Sequence, residues 1–302
     1  MTHRITGTTA LYLIIGDPVG QVRAPEVFNL VFERLGIDAA LLPAHVAPSG
    51  LEAFLRGAFE ARNLEGLFLA IPHKPLVMPF LDEASPIALA AGAVNGVRRT
   101  ADGRLVGGQF DGLGFVSALA HFGIEFRGPA HRTLIIGAGG GASAIAASMA
   151  SEGATSVCLY DPVPGRAEAL SERVMKHFPA CATRAVRTND PAGYDLVVNA
   201  SPLGLQHGDA LPCEVSRMNP GTAVMDILMK NQPTPFVRAA RARGLTAHPG
   251  FEMLIQQAPH YLEFFGHADA AARVRRDATF IREMIYPAEL AGEIPRAERL
   301  AA

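Results

Sequence analysis

Short apolar runs alternate along the chain with stretches in which apolar residues recur every three or four positions, the pattern of an α/β protein. Leu11 to Ile15 is the first apolar run, punctuated by Gly16, Asp17 and Pro18, and reads as a strand. Pro25 suits the first turn of a helix, where no internal hydrogen bond is lost. Val27, Phe28, Val31, Phe32 and Leu35 then share one helical face. Ser49 and Glu52 have the spacing of a capping box ahead of the next helix. Leu67 to Ile71 is a continuous apolar strand that Pro72 stops. Val94 to Arg99 and Arg104 to Gly107 flank an Ala101-Asp102-Gly103 turn, a hairpin pattern.

Asp111 opens a further helix whose inner face is Phe115, Leu119 and Phe122. A connector at 123–132 leads to a strand at Thr133 to Ile136, a glycine-rich turn, a helix at Ala142 to Ser151 and a strand at Ser156 to Tyr160, which together make one βαβ unit. Strands are also expected at Leu196 to Asn199 and at Ala223 to Ile227. The chain closes on two helical stripes. The first is Leu254, Ala258, Tyr261, Leu262 and Phe265; the second is Val274, Ala278, Ile281 and Ile285. The polar tail beyond Pro287 is expected to fray.

A chain of 302 residues, 49% of them hydrophobic, suits two domains better than one. The expected division is 1–110 plus 251–302 for one domain and 111–250 for the other. The closing helices then pack back on the first domain, with the active site in the cleft between the two. The net charge of −2 offers no basic face, which argues against nucleic acid and anionic membrane as partners. Cys158, Cys181 and Cys213 form neither a metal spacing nor an even disulfide set, so a reducing cytoplasm is expected and each reads as a small buried hydrophobe. The ten histidines make no zinc pattern, and no metal site is expected. The N-terminal apolar run reads as a strand rather than a signal peptide.

The glycine turn carries the clearest chemistry. Gly137, Gly139 and Ala142 give G-x-G-x-x-A between a strand and a helix. The first glycine permits the tight turn, the second lets backbone approach a pyrophosphate, and the small third residue lets helix and strand pack closely. Gly137, Ala138, Gly139, Gly140, Gly141 and Ala142 are therefore candidate dinucleotide-binding residues, at a helix N-terminus that favours anions. Asp161 ends the next strand, where an acid would meet the ribose 2′-hydroxyl and repel a 2′-phosphate. NAD is the expected cofactor, with NADP less favoured; Arg166 keeps NADP open. Lys74, closing Gly66 to Lys74, and Asp111, opening Asp111 to Gly114, are an amine and a carboxylate from separate segments. Ahead of a dinucleotide-type turn, they suggest hydride transfer with a local proton carrier.

The chain resembles the shikimate/quinate dehydrogenase family over nearly its whole length. The resemblance rests on Gly16 and Pro18 with Pro25 beyond, Ile71 to Lys74, Ala91 to Asn95, Asp111 to Gly114 and Gly137 to Gly140. It continues through Val198 to Gly204, Thr234-Pro235 and Gly250 to Gln257. It implies an N-terminal α/β substrate-binding domain followed by a Rossmann-type domain, and a catalytic Lys74–Asp111 pair. It also implies substrate contacts from Asn95 and Gln257, and a cofactor-facing side formed by Asn199, Ser201, Gly250 and Met253. The expected partner is a small hydroxy acid or alicyclic alcohol; a homodimer is left open.

Several positions depart from the family. Val22 and Ala24 stand where it has two serines that grip a substrate carboxylate. Phe68 and Ala70 replace an Asn-x-Thr, Gln109 and Phe110 an Asn-Thr, and Leu228 a tyrosine. The pocket is thus expected to lose polar groups and gain bulk. Gln21, Arg23 and Gln109 are the candidate replacement contacts, Arg23 by bidentate grip on a carboxylate. Three functions follow: a shikimate-type dehydrogenase, a dehydrogenase for a less polar alicyclic or polyol substrate, and a nucleotide-binding sensor without turnover.

Overall fold

The structure, a computed structural model, describes residues 5–294. Two compact units emerge. The first runs to Ala88 and includes Gly92–Phe110 and Ala258–Ile285; the second comprises Leu89–Ala91, Asp111–Gln257 and the chain from Tyr286.

The first unit holds β1 (Ala10–Gly16), β2 (Ala39–His45), β3 (Leu64–Leu69), β4 (Glu83–Ala84), β5 (Gly96–Arg99) and β6 (Leu105–Gly108) in one sheet of order β2-β1-β3-β5-β6-β4. β1 pairs in parallel with β2 and β3, while β5 runs antiparallel to β3 and β6. Its helices are α1 (Ala24–Leu35), α2 (Leu51–Ala58), α3 (His73–Leu76) and α4 (Pro86–Ala91), with α10 (Ala258–Phe264), α11 (Ala268–Arg276) and α12 (Thr279–Ile285) returning from the end of the chain. Pro25 lies in the first turn of α1, and Val27, Phe28, Val31 and Phe32 are its buried face. The closing stripes are each broken in two. The first spans α9 (Phe251–Gln256) and α10, and the second spans α11 and α12.

The second unit is a parallel sheet of order β12-β11-β10-β7-β8-β9, built from β7 (Thr133–Ile136), β8 (Ser156–Tyr160), β9 (Ala182–Ala185), β10 (Leu196–Asn199), β11 (Ala223–Asp226) and β12 (Ala247–Pro249). Helices α5 (Asp111–His121), α6 (Gly140–Ser151), α7 (Arg166–His177), α8 (Pro235–Ala242) and α9 accompany it. Strand side chains alternate between two cores. Ile135, Val157 and Val198 pack with α5, α6 and α7, while Leu134, Ile136 and Val197 pack with Phe236 and Val237 of α8. Helices on both faces explain why β7, β10 and β11 are buried at every residue. The strand order reverses at β7 and β10, where such folds hold ligands at the carboxyl ends.

Three expectations change. Ser49 lies inside a 3₁₀ turn, α2 starts at Leu51 without a side-chain cap, and Glu52 instead pairs with Arg56. Residues 251–257, expected with the first domain, pack on α5 of the second unit. The tail to residue 294 is docked rather than frayed: Leu290 is buried, Tyr286 donates to Glu252 at 3.1 Å and Arg241 pairs with Glu293 at 2.7 Å. Residues 295–302 lie outside the described residues.

The contacts of α5 are unusually close. A Cβ on Gly112 would overlap the Ala144 carbonyl and the Ser148 hydroxyl of α6, and one on Gly114 would overlap the Met253 carbonyl of α9. Gly57, exposed in α2, faces open space. Gly112→Ala is therefore expected to destabilise the protein by about 2–3 kcal/mol through overpacking. Gly57→Ala is expected to be neutral or to stabilise by up to ~1 kcal/mol. Denaturant unfolding of both variants checks the contrast.

Candidate active site

The predicted site residues divide between the two units. In the first, β3 ends at Leu69 and leads into the short helix α3, which carries Lys74 half-buried as its second residue. The Val94 N–H donates to the Lys74 carbonyl at 3.0 Å, tying α3 to the turn that ends at Asn95. Asn95 is fully buried. Its N–H donates to the Gly108 carbonyl, and its own carbonyl accepts from the Leu69 N–H at 2.8 Å and the Tyr261 hydroxyl at 3.0 Å. Its side-chain Oδ1 accepts from the Phe110 N–H at 2.9 Å, while Nδ2 has no partner among the described residues. An unmet buried donor costs about 1–3 kcal/mol, so this amide is suited to a ligand acceptor. His73 is buried, with Nε2 2.7 Å from the Val46 carbonyl.

The candidate replacement contacts point elsewhere. Arg23 donates from Nε and Nη2 to Glu26 Oε2, at 3.1 and 2.9 Å, and reaches the Ile285 carbonyl at 3.4 Å. Gln21 Nε2 donates to the Pro18 carbonyl at 2.8 Å, and Gln109, buried, lies 3.5 Å from the Ala93 carbonyl. The expected gain of pocket bulk is corrected: Phe68 and Phe110 are core residues. Phe68 stacks on Tyr261 at 4.3 Å and meets Phe28 edge-on at 4.6 Å; Phe110 packs on Tyr261 and Phe264 and fills the space over Gly96 and Gly108.

In the second unit, Gly137 ends β7 with φ 110°, and a Cβ there would lie 2.6 Å from the Ala200 carbonyl. Gly139 is different. Its φ is −78°, it precedes α6 without a side-chain cap, and a Cβ would meet nothing within 4 Å. Neither backbone nor packing requires glycine there, so the uncapped helix end is left open. Gly140 also faces open space, whereas Ala142 is buried core and Ala138 packs against it. A dinucleotide fits this turn. Asp161 Oδ2 accepts from the Ala138 N–H at 2.8 Å and Oδ1 from the Val163 N–H at 2.9 Å, so the acid braces the turn as well as marking the end of β8. Arg166, exposed, starts α7.

Asp111 is the first residue of α5, half-buried. Gln257 follows α9, 7% exposed, and its Oε1 has no partner among the described residues. Gly250 precedes α9, where a Cβ would lie 2.6 Å from the Ile227 carbonyl, and Met253 packs half-buried on the core.

Asn199, expected on the cofactor-facing side, has its side chain engaged within the protein. It is fully buried, and all four of its hydrogen-bonding positions are used. Nδ2 donates to the Leu203 carbonyl and to Asp226 Oδ1; Oδ1 accepts from the N–H and hydroxyl of Ser201. Its role is to build the 199–203 turn. Asp226, fully buried at the end of β11, was the signal passed over. A lone acid after three apolar strand residues, with a Thr-Pro pair eight positions on, marks a buried acceptor and a helix cap. Thr234 donates to its Oδ2 at 2.7 Å while capping α8, and the Leu228 N–H donates to Oδ1 at 3.1 Å. Burial pushes this carboxyl up to about 6 against the three bonds that hold it down. His248 of β12, stacked on Phe122 at 3.7 Å, is pushed down to about 4 by burial and by Arg241.

Among the described residues, no group of three or more His, Cys, Asp or Glu could hold a metal, and no helix is long and apolar enough to cross a membrane.

Residues 14–97 match the shikimate dehydrogenase substrate binding domain. A shikimate dehydrogenase (NADP(+)) of Rubrobacter xylanophilus is 37% identical over 262 residues, 84% of this chain and 89% of that one. Shikimate 5-dehydrogenase of Listeria monocytogenes, solved with shikimate and NAD, superposes with a TM-score of 0.81 at 28% identity over 91% of this chain and 99% of that chain. The ligand-free 5-ketofructose reductase of a Gluconobacter strain gives 0.78 at 26% identity, over 89% and 99%. With identity at this level across more than four-fifths of the sequence, the chain belongs to the shikimate dehydrogenase family of NAD(P)-dependent dehydrogenases.

Proposed function

We propose that the protein interconverts an alicyclic alcohol and its ketone, of the shikimate/3-dehydroshikimate kind, by hydride transfer. The observation that carries this reading is the buried Asn95 amide with its unpaired Nδ2, tied by the Val94–Lys74 backbone bond to the helix of the candidate proton carrier. A bound nicotinamide would supply or accept the hydride. Lys74 gives a proton to the developing alkoxide in reduction and takes it back in oxidation. Asp111 is its proposed carboxylate partner, orienting the amine. Asn95 offers a donor and Gln257 an acceptor, the two functions a ring hydroxyl needs. The first unit would then be the substrate-binding domain and the second the cofactor-binding domain.

NAD is proposed over NADP. The Rubrobacter relative is named for NADP(+) and the Listeria structure holds NAD, so the relatives allow both. The Asp161 carboxylate at the end of β8 puts negative charge where a 2′-phosphate would sit.

A second substrate reading has its own support. Val22 and Ala24 cannot hold a carboxylate, and Arg23 and Gln21 bond within their own segment or to the Ile285 carbonyl. A neutral polyol would need no such anchor, and the 5-ketofructose reductase shares the architecture.

Lys74→Ala is expected to lower kcat with shikimate by about 10²–10⁴-fold, with Asp111→Asn lowering it in the same direction. Absorbance of reduced nicotinamide reads both, and full turnover in either variant rejects the proton-carrier assignment. Reintroducing the lost hydroxyls, as Val22→Ser with Ala24→Ser, should raise shikimate kcat/KM by about 10²–10⁴-fold, from two hydrogen bonds to a charged group. No gain would mean that a carboxylate anchor already exists. Wild-type enzyme should favour NAD over NADP by about tenfold or more in kcat/KM, and Asp161→Asn should narrow that ratio. A wild-type preference for NADP contradicts the cofactor assignment.

A further inference from the structure

We propose that Asp226 is a positioning residue for dinucleotide binding: its buried carboxylate holds the rim of the switch-point crevice on the β10 and β11 side. The inference rests on the dehydrogenase reading above, and it concerns a residue that touches neither substrate nor reacting atoms.

The crevice at the reversal between β7 and β10 is bordered by the Gly137 turn and the 199–203 turn. Two donors bind a single oxygen, Oδ1 of Asp226. One is Asn199 Nδ2, which organises the 199–203 turn; the other is the Leu228 N–H, which fixes the segment after β11. That segment lines the crevice from the far side. A Cβ on Gly141, at the start of α6, would lie 2.8 Å from Ile227 Cδ1. One on Gly204 would lie 3.3 Å from Leu228 Cδ1, and one on Gly250, at the start of α9, 2.6 Å from the Ile227 carbonyl. The Ala200 carbonyl stands equally close to Gly137. Moving Asn199 therefore moves the Ala200 backbone packed against Gly137, and moving Leu228 moves the Ile227 side chain packed against Gly141.

Burial works against the charge of this acid. Its carboxyl is raised from 3.8 to about 6, chiefly by burial. A raised folded value means that the protonated form is favoured on folding. The associated stabilisation is present below pH 3.8 and is lost as pH rises through about 6. At neutral pH burial works against the ionised carboxylate, and the three donors to its oxygens work for it. Thr234, on the other oxygen, serves the cap of α8 and not the crevice. The two oxygens thus separate a positioning arm from a structural arm.

Calorimetric titration of the full-length protein with NAD+ and with NADP+, alongside thermal unfolding at pH 8, tests the assignment. At that pH His248, whose neighbour across β11 is Met225, is neutral. Asp226→Ala is expected to raise the Kd of the preferred dinucleotide about tenfold or more. Its Tm should also fall, because three buried donors lose their acceptor, so the affinity readout is judged against Asp226→Asn and Thr234→Ala rather than alone. Asp226→Asn, keeping an oxygen toward Asn199 and Leu228, should restore the Kd to within about threefold of wild type. Thr234→Ala should lower Tm and leave the Kd unchanged. Wild-type affinity in Asp226→Ala, an equal loss in Asp226→Asn, or an Asp226→Ala protein that does not fold would each overturn the proposal. A wild-type protein that binds neither dinucleotide would instead remove the dehydrogenase reading on which it rests.

Discussion

Backbone-to-backbone approach at the strand ends of the second sheet is the constraint on which the site depends. Gly137 lies against the Ala200 carbonyl and Gly250 against the Ile227 carbonyl, each at a separation that leaves no room for a Cβ. Rim and floor are therefore made of main chain, whose direction follows from the strands and from a few buried hydrogen bonds. Such a crevice has little capacity to adapt by rotamer change. It is open only where nothing crowds it, and Gly139 and Gly140 are those places. The contrast within one motif is informative: Gly137 is demanded by conformation, Ala142 by packing, and Gly139 by neither.

The same logic explains the D-G-x-G motif at the start of α5. The two glycines bring α5 onto α6 and α9, so the first residue, Asp111, starts from a helix held on two sides. Gly114 also lies against Gln257, where a Cβ would come within 2.9 Å of its amide nitrogen. A motif that reads as chemistry is largely packing, with one candidate catalytic side chain carried at its end. In the first unit the equivalent support is aromatic. Tyr261, stacked on Phe68, donates its hydroxyl to the Asn95 carbonyl and so fixes the residue whose Nδ2 has no partner among the described residues.

Much of this was legible in the sequence where period and punctuation agree. Ser156–Tyr160, Leu196–Asn199 and the start of α5 at Asp111 follow from apolar runs and their boundaries. Local patterns failed where tertiary bonds decide. Ser49 has capping spacing, yet Pro48 starts a 3₁₀ turn one residue earlier and the helix begins at Leu51. The tail looked unsupported because its anchors, Glu252 and Arg241, lie tens of residues upstream. Asn199 read as a cofactor-facing residue from the family resemblance alone. Its saturation by Ser201, Leu203 and Asp226 depends on a second strand and cannot be read from one segment. Asp226 was invisible as a hub for the same reason.

The aromatic replacements carry the argument about substrate furthest. If Phe68 and Phe110 lined the pocket, they would narrow it and exclude a ring bearing a carboxylate by size. Both are buried instead, Phe68 at 1% and Phe110 at 7% exposure, within a cluster that includes Phe28, Tyr261, Phe264 and Phe265. Their effect is to remove two hydrogen-bonding side chains while leaving space largely to the remaining positions. Val22 and Ala24, partly exposed, remove two more without filling the volume with a charge of opposite sign. Under the neutral-polyol reading, discrimination against an anionic substrate would come from missing partners rather than from bulk. A carboxylate would then meet an uncompensated desolvation cost, while a neutral ring or chain of similar size would keep the Asn95 amide as its partner.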